Sequence, residues 1–81
     1  MQKHVRNYTT YFNLGIDDVW SCERCKRMFK INGGLEIHHI VFRSHGGSDN
    51  VDNCVCLCRE CHTLAHQTNL KQELTNIVNN R

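Results

Sequence analysis

The chain has 81 residues, a formal net charge of +2 at pH 7, six cysteines and no proline. No apolar run reaches the ~20 residues that a membrane-spanning helix needs, so we expect a soluble protein with no membrane partner. A chain of this length buries only about 60% of the surface that its unfolded form exposes. We therefore expect one thin-cored domain over residues 1–81, held together by a structural metal or by disulfides.

The first third of the chain predicts a short helix and a basic cluster. Residues 8–12 carry three aromatic side chains at i, i+3, i+4 spacing, which suits a helix that caps the core. Four basic side chains then lie within seven positions. They could follow a DNA backbone without sequence preference, or they could form an ordinary solvated surface. These residues are Arg24, Lys26, Arg27 and Lys30.

A hairpin is expected next. Residues 28–31 suit an outgoing strand, the Asn-Gly-Gly that follows favours a tight turn, and residues 35–40 suit the returning strand. Alternation along that strand places Glu36 and His38 on one face and His39 on the other. If both histidines serve one site, the regular strand must end or bulge at this point.

The second half of the chain predicts a loop, a strand and two helices. Residues 41–52 should form an irregular loop, and a second short strand should lie within residues 51–57. A helix is expected from Arg59 to about Gln67. Apolar residues at i, i+4, i+7, i+8 spacing predict an amphipathic helix over residues 70–79 that docks on the core.

Four of the cysteines form two Cys-x-x-Cys pairs, Cys22 with Cys25 and Cys58 with Cys61. Four thiolates are the ligands of a closed tetrahedral site, so we predict that the two pairs share a structural Zn²⁺. One alternative is a thioredoxin-like redox pair, but this sequence shows no βαβ pattern around its Cys-x-x-Cys pairs. The other is disulfide bonding, which needs a secretory context. Since the chain does not start like a signal peptide, we expect a reducing, cytoplasmic location. The other two cysteines are interpreted as small apolar residues.

The histidines predict a second metal site. His62 and His66 lie one helical turn apart on one face, and with His38 they offer three nitrogens to one ion. Three protein ligands leave positions open for water and substrate, as in catalytic metal sites. A neutral histidine can accept a proton from water, and His39 suits that role in phosphodiester hydrolysis. Arg43 is a candidate contact for the scissile phosphate, although a lone loop arginine is more often solvated.

These residues closely resemble the HNH endonuclease family. The resemblance covers residues 22–66, with the run Glu36-Ile-His-His-Ile40, Gly46-Gly47, Asn53, the Leu57 to His62 segment and His66. It is similar to the zinc-knuckle variant of small phage and bacterial members. The resemblance implies an α+β fold built on a ββα-metal (His-Me finger) element over about residues 35–68, with a four-cysteine zinc site and flanking helices. It also implies a metal-dependent DNA endonuclease, and with one site in each chain we expect it to nick one strand per event.

The resemblance also implies a role for each residue of the site. The three histidines named above would bind one catalytic divalent ion, which could be Mg²⁺, Mn²⁺, Ni²⁺ or Zn²⁺. His39 would be the general base, Asn53 would hold the loop that orients it, and Glu36 would support the site. Many family members have Asp at the position of His38, and others have Asn at that of His66. An all-histidine set favours zinc or nickel.

Two other functions are consistent with part of the sequence. A non-catalytic zinc-finger-like module that binds nucleic acid or protein would explain the cysteines and the basic cluster, but not the histidines together with Asn53. A metal-dependent hydrolase of another substrate would explain the histidines. The expected partner is DNA inside a bacterial or phage-infected cell. The sequence leaves open the target site, the oligomeric state and recruitment to a larger complex such as a phage packaging machine.

Overall fold

The computed structural model describes all residues from Met1 to Arg81 as three helices and two small antiparallel sheets. This α+β arrangement confirms the predicted fold class. The elements in chain order are α1 (Lys3–Tyr11), β1 (Val19–Ser21), β2 (Met28–Lys30), β3 (Leu35–His39), β4 (Cys54–Cys58), α2 (Arg59–Gln67) and α3 (Lys71–Asn79). None of the helices combines the length and the apolar character required to cross a membrane.

The strand pairing corrects the predicted hairpin. β2 pairs with β1, placing Trp20 opposite Phe29, whereas β3 pairs with β4, placing Ile37 opposite Cys56. The Asn-Gly-Gly turn therefore connects two separate sheets. The prediction was wrong because it relied on the local Asn-Gly-Gly turn and not on which strand is buried in the core. All five residues of β4 are buried, whereas β2 is mostly exposed, so β4 offers β3 a much larger apolar surface to cover.

Together β3, β4 and α2 form the ββα element that the resemblance implied. The pairing of β3 with β4 is regular from Leu35 opposite Cys58 to His39 opposite Cys54. β3 ends at His39, as expected if both adjacent histidines serve one site. The segment between the strands contains two short 3-10 turns, Arg43–His45 and Val51–Asn53, rather than an entirely irregular loop.

The core is thin and is covered on two sides by α1 and α3. Its fully buried side chains include Tyr8 from α1, Leu57 from β4 and Leu74 from α3. The aromatic prediction is therefore correct for Tyr8 but wrong for Tyr11, which is 67% exposed. α3 docks through Leu74, as its amphipathic pattern predicted.

Two buried cysteines on β4 behave as apolar residues, as predicted. Cys54 and Cys56 are both fully buried. Burial raises the pKa of the Cys54 thiol to about 11 and that of the Cys56 thiol to about 12. Both side chains therefore stay neutral thiols at pH 7.

A largely buried carboxylate, that of Glu23 between Cys22 and Cys25, ties the ends of the chain to the core. Glu23 accepts hydrogen bonds from the Tyr8 hydroxyl at 2.7 Å, from the Cys56 amide at 2.8 Å and from the Arg81 guanidinium at 2.9 Å. Burial, followed by the charge of Glu23, raises the pKa of Tyr8. This network connects α1, β4 and the end of the chain through one side chain.

Candidate metal centres and active site

The four cysteines of the two Cys-x-x-Cys pairs converge, and we call them the cysteine cluster. Their sulfur atoms all lie within 4.8 Å of one another, and the Sγ atoms of Cys25 and Cys58 are 3.7 Å apart. Thiolates bound at about 2.3 Å to one tetrahedral zinc lie about 3.8 Å from each other, whereas bonded sulfurs are about 2.05 Å apart. All six cysteines are free thiols. The donor set therefore fits a four-coordinate metal ion.

Two arginines surround the cysteine cluster. The Arg27 guanidinium donates to Cys25 Sγ at 3.3 Å and to Cys58 Sγ at 3.4 Å, and Arg24 donates to Cys61 Sγ at 3.7 Å. The hydrogen bond from Arg27 lowers the pKa of Cys25 to about 6, so this residue is already a thiolate at pH 7. Each arginine also pairs with a glutamate of a neighbouring helix. Half of the predicted basic cluster therefore faces sulfur and carboxylate groups.

The second group of ligands, His38, His62 and His66, also converges, and we call it the histidine triad. Its members come from β3 and α2, and one ligand nitrogen of each lies within 4.8 Å of the others. The Nε2 atoms of His62 and His66 are 3.1 Å apart. Nitrogens bound at about 2.0–2.1 Å to one ion are separated by about 2.9–3.4 Å, depending on geometry. The triad therefore fits a single divalent ion.

Exposure differs among the three imidazoles in a way that leaves one side of the triad open. His38 is only 5% exposed, His62 is partly buried and His66 is the most accessible. Burial, together with the charges that His62 and His66 would carry, lowers the pKa of His38 to about 4. His38 is therefore neutral at pH 7, which is the form that binds metals.

Glu36 contacts a member of the histidine triad from the same face of β3. Its Oε2 accepts a hydrogen bond from Nδ1 of His62. Because this contact keeps the proton on Nδ1, the lone pair of His62 lies on Nε2, beside Nε2 of His66. A carboxylate that orients a ligand histidine in this way is common in metal sites.

His39 points to the opposite side of β3 and has a different carboxylate partner. Its Nε2 lies 2.8 Å from Oδ1 of Asp49, whereas its Nδ1 makes no hydrogen bond within the chain. The hydrogen bond with His39 lowers the pKa of Asp49. Sequence reasoning missed Asp49, because an acidic residue in the sequence Gly-Gly-Ser-Asp-Asn is also what an ordinary polar loop contains. The Nε2–H tautomer of His39 leaves its Nδ1 lone pair free.

His39 and the histidine triad nevertheless border the same cleft. This cleft, which we call the histidine cleft, has a volume of about 330 Å³. Its lining also includes Phe42 and Arg43, and Arg43 is 64% exposed at the rim, with its Nε 3.7 Å from Asp49. An unliganded imidazole, a cluster of metal-type ligands and a guanidinium thus face one space.

Asn53 holds the segment that follows His39. Its side-chain oxygen accepts from the Val41 amide at 3.0 Å, while its amide nitrogen donates to the Val41 carbonyl at 3.0 Å and to the Ser48 carbonyl at 2.8 Å. Its backbone carbonyl also accepts from the Ile40 amide at 2.9 Å. These bonds fix the chain on both sides of the loop that carries Asp49.

Comparisons with known proteins agree with this geometry. The sequence matches the HNH endonuclease family over residues 22–68. It is 40% identical over 62 residues to the type IV methyl-directed restriction enzyme EcoKMcrA of Escherichia coli (strain K12), covering 70% of this chain and 22% of that enzyme. It is 44% identical over 56 residues to the probable mobile endonuclease C of Enterobacteria phage T4, covering 69% of this chain and 25% of that protein.

A third relative is similar over most of both chains. Anaredoxin of Nostoc sp. (strain PCC 7120) is 30% identical over 73 residues, which cover 90% of this chain and 80% of anaredoxin. By contrast, the matched part of this chain covers only about a quarter or less of the length of each of the two nucleases described above. The family match extends over more than half of the chain and includes β3, β4, α2 and both cysteine pairs, so this chain belongs to the HNH endonuclease family.

Proposed function

We propose that residues 1–81 act as one metal-dependent HNH nuclease domain that hydrolyses DNA phosphodiester bonds. The observation that carries this proposal is the histidine cleft, where His39 and the histidine triad border one space. Further support comes from the names of two relatives, a methyl-directed restriction enzyme and a probable mobile endonuclease. We infer that DNA is the substrate.

The two groups of metal ligands have different proposed tasks. The cysteine cluster holds a structural Zn²⁺, because four thiolates close the coordination shell and leave no position for a substrate. The histidine triad holds one catalytic divalent ion, because three ligands leave the open side that a phosphate needs. When bound by the histidine triad, such an ion would supply Lewis-acid stabilisation of the negative charge on the phosphate and on the leaving oxygen.

The proposed chemistry of the chain itself centres on His39. The Asp49 carboxylate accepts a hydrogen bond from Nε2–H of His39, which keeps the proton on Nε2 and the Nδ1 lone pair available. That lone pair takes a proton from a water molecule as the water oxygen attacks phosphorus and the bond from phosphorus to the leaving oxygen breaks, which makes His39 the general base. The negative charge of Asp49 stabilises the imidazolium that forms.

Three further residues position the reacting groups. Glu36 orients His62 through its Nδ1–H. Asn53 holds the loop between β3 and β4, and thereby keeps Asp49 against His39. Arg43, at the exposed rim of the histidine cleft, contacts a phosphate oxygen of the bound strand. With one such site in each chain, a single event cuts one strand.

We infer that the protein works inside the cell, where its six free cysteines would remain reduced and where DNA is present. A double-strand break would require a second copy, two successive nicks or a partner protein. Recruitment to a larger assembly, such as a phage packaging complex, is compatible with a domain of this size.

Nicking of supercoiled plasmid tests the proposal. Wild type with added Mn²⁺ or Mg²⁺ should convert supercoiled DNA to the relaxed circle, and His62→Ala should lose this activity because one triad ligand is gone. His45→Ala is the matched control, because His45 is exposed and belongs to neither the cysteine cluster nor the histidine triad. The proposal is contradicted if His62→Ala nicks as fast as His45→Ala.

The rival function has a separate readout. A non-catalytic nucleic-acid-binding module would retard the plasmid in a gel without changing its topology at any metal concentration. A hydrolase of another substrate would neither nick nor retard it. Either result from wild type would exclude the nuclease.

A further inference from the structure

A third group of metal-type ligands lies behind His39 and is separate from the cysteine cluster and the histidine triad. One ligand atom each from His4 on α1, His39 at the end of β3 and Asp49 in the loop lie within 4.8 Å of one another. The rings of His4 and His39 are 4.2 Å apart between centroids, and His39 contacts Asp49 at 2.8 Å. Two nitrogens and one carboxylate oxygen are therefore close enough to bind a single ion.

His4 carries a buried nitrogen without a partner. The residue is only 7% exposed, and its Nδ1 is the one buried side-chain polar atom in the chain that makes no hydrogen bond. Its other nitrogen, Nε2, donates to the carbonyl of Ile37 at 3.1 Å. This bond places the proton on Nε2 and leaves a bare lone pair on Nδ1. A buried acceptor left unpaired destabilises the folded chain, so its retention needs an explanation.

The same arrangement is what a metal ligand requires. A histidine that binds a metal through one ring nitrogen almost always donates the N–H of the other to a carbonyl or carboxylate. His4 has that second bond already, to a backbone carbonyl of β3. An ion held by His4, His39 and Asp49 would give this unpaired nitrogen a partner.

We propose that His4, His39 and Asp49 form a second histidine-containing metal site, whose occupation by a divalent transition ion withdraws His39 from catalysis. Two imidazoles and one carboxylate favour Zn²⁺, Ni²⁺ or Co²⁺ over Mg²⁺ and Mn²⁺, which prefer oxygen ligands. The inhibition of catalysis rests on the proposed role of His39 as general base. The binding of the ion is independent of that role.

The effect on His39 follows from its two nitrogens. Without the ion, Nε2 carries the proton that Asp49 accepts, and Nδ1 is a lone pair. An ion on Nε2 replaces that proton, which in the neutral ring must then reside on Nδ1. An Nδ1–H group donates a hydrogen bond but cannot accept a proton from water. The ion thus competes with a single proton, and the nuclease is active only when the proton occupies Nε2.

Counting bound zinc tests the site directly. The full chain, already carrying its structural ion, is dialysed to equilibrium against buffers of increasing free Zn²⁺, and bound metal is measured by mass spectrometry. The three groups of ligands predict three equivalents for wild type and two for His4→Phe, which keeps an aromatic ring against His39 but has no nitrogen. His45→Phe is the control and should bind as wild type does. Equal stoichiometry of wild type and His4→Phe would overturn the proposal.

A second measurement uses wild type alone and so does not depend on the folding of a variant. Long-range proton–nitrogen NMR spectra report which nitrogen of each histidine bears a proton or a metal. Saturating Zn²⁺ should move the Nδ1 signal of His4 to the metal-bound range while its Nε2 stays protonated. An unchanged His4 signal, with the triad signals shifted, would overturn the site.

The consequence for catalysis is tested by zinc inhibition of plasmid nicking supported by Mn²⁺. Each protein is compared with its own rate before zinc is added. The Zn²⁺ concentration that halves the rate should be at least about tenfold higher for His4→Phe than for wild type or His45→Phe, because a ligand is lost. Equal inhibition of all three proteins would remove the regulatory role. If wild type binds a third equivalent of Zn²⁺ but never nicks plasmid, the proposed nuclease activity is contradicted while the proposed metal site stands.

Discussion

At the residue scale, one peptide bond separates two histidines with different surroundings. His38 lies among the triad imidazoles and is almost fully buried, whereas His39 contacts a carboxylate and retains a free nitrogen. The spacing of His38, His62 and His66 was sufficient to predict the triad from sequence. The partner of His39 was not predictable, because Asp49 comes from a loop whose path depends on the Asn53 hydrogen bonds.

The pKa of His38 predicts a pH effect on stability. Because its folded-state pKa of about 4 lies below the ordinary value of 6.5, only the unfolded chain binds a proton at this ring between those pH values. The free energy of unfolding should therefore fall as the pH drops from 6.5 toward 4, by up to about 3 kcal/mol from this group.

Urea denaturation at several pH values measures this effect, with no metal added beyond the structural ion. His38→Phe retains an aromatic ring but cannot titrate, so its stability relative to wild type should improve steadily on acidification. A constant difference between the two proteins across this interval would contradict the assigned environment of His38.

Asp49 offers a test of how His39 is held. Asp49→Asn keeps the size of the side chain but removes the negative charge that stabilises the imidazolium, so the nicking rate should fall about 10–100-fold. KM for plasmid should change little, because Asp49 is proposed to act through His39 and not on DNA. A rise in KM with kcat intact would instead place Asp49 at the DNA-binding surface.

At the scale of the element, the loop between β3 and β4 determines whether the ββα element can carry a site. Asn53 and the two 3-10 turns give this loop a fixed shape, although its composition predicted only an irregular segment. Composition indicates that a segment forms a loop, but it does not indicate which backbone groups within the loop come into contact. The same reason explains why the Asn-Gly-Gly turn was predictable while the partner of β3 was not.

Gly47 is the tightest point of that loop. A Cβ at this position would lie 1.8 Å from the Val41 carbonyl oxygen, so Gly47→Ala must displace the backbone beside Asn53 and should cost about 1–3 kcal/mol or more. Gly15→Ala is the control, because the nearest atom to its added methyl group is 3.6 Å away. Thermal unfolding of both variants compares them, and equal midpoints would show that the loop yields at no cost.

At the scale of the whole molecule, we expect metal binding by the cysteine cluster to compensate for the thin core. Cysteine spacing was enough to predict the cysteine cluster, because Cys-x-x-Cys pairs have few other uses in a small reduced chain. The contacts of Glu23 with Tyr8, Cys56 and Arg81 were not predictable, since they join positions up to 58 residues apart. Long-range contacts of this kind carry no local pattern.

Removal of the structural ion should therefore unfold the chain. Zinc binding to four thiolates contributes about 10–16 kcal/mol in small domains, which equals or exceeds the usual net stability of about 5–15 kcal/mol. Far-UV circular dichroism should show loss of helix when a strong chelator extracts the metal, and recovery when Zn²⁺ is returned. A variant with both His62→Ala and His66→Ala should stay folded in the absence of chelator, because it keeps the cysteine cluster. An unchanged spectrum in fully metal-free wild type would argue against a structural role.

The most direct test of the central claim combines two measurements on His39→Ala. One is the number of Mn²⁺ ions bound per chain, and the other is the rate of plasmid nicking in the presence of Mn²⁺. Because His39 is proposed to accept a proton and not to hold the catalytic ion, the variant should bind as much Mn²⁺ as wild type. It should nick at least about 100-fold more slowly, the lower end of what a general base contributes. Nicking at the wild-type rate, or loss of the Mn²⁺ together with the activity, would contradict the assignment of an unliganded base beside a three-histidine metal site.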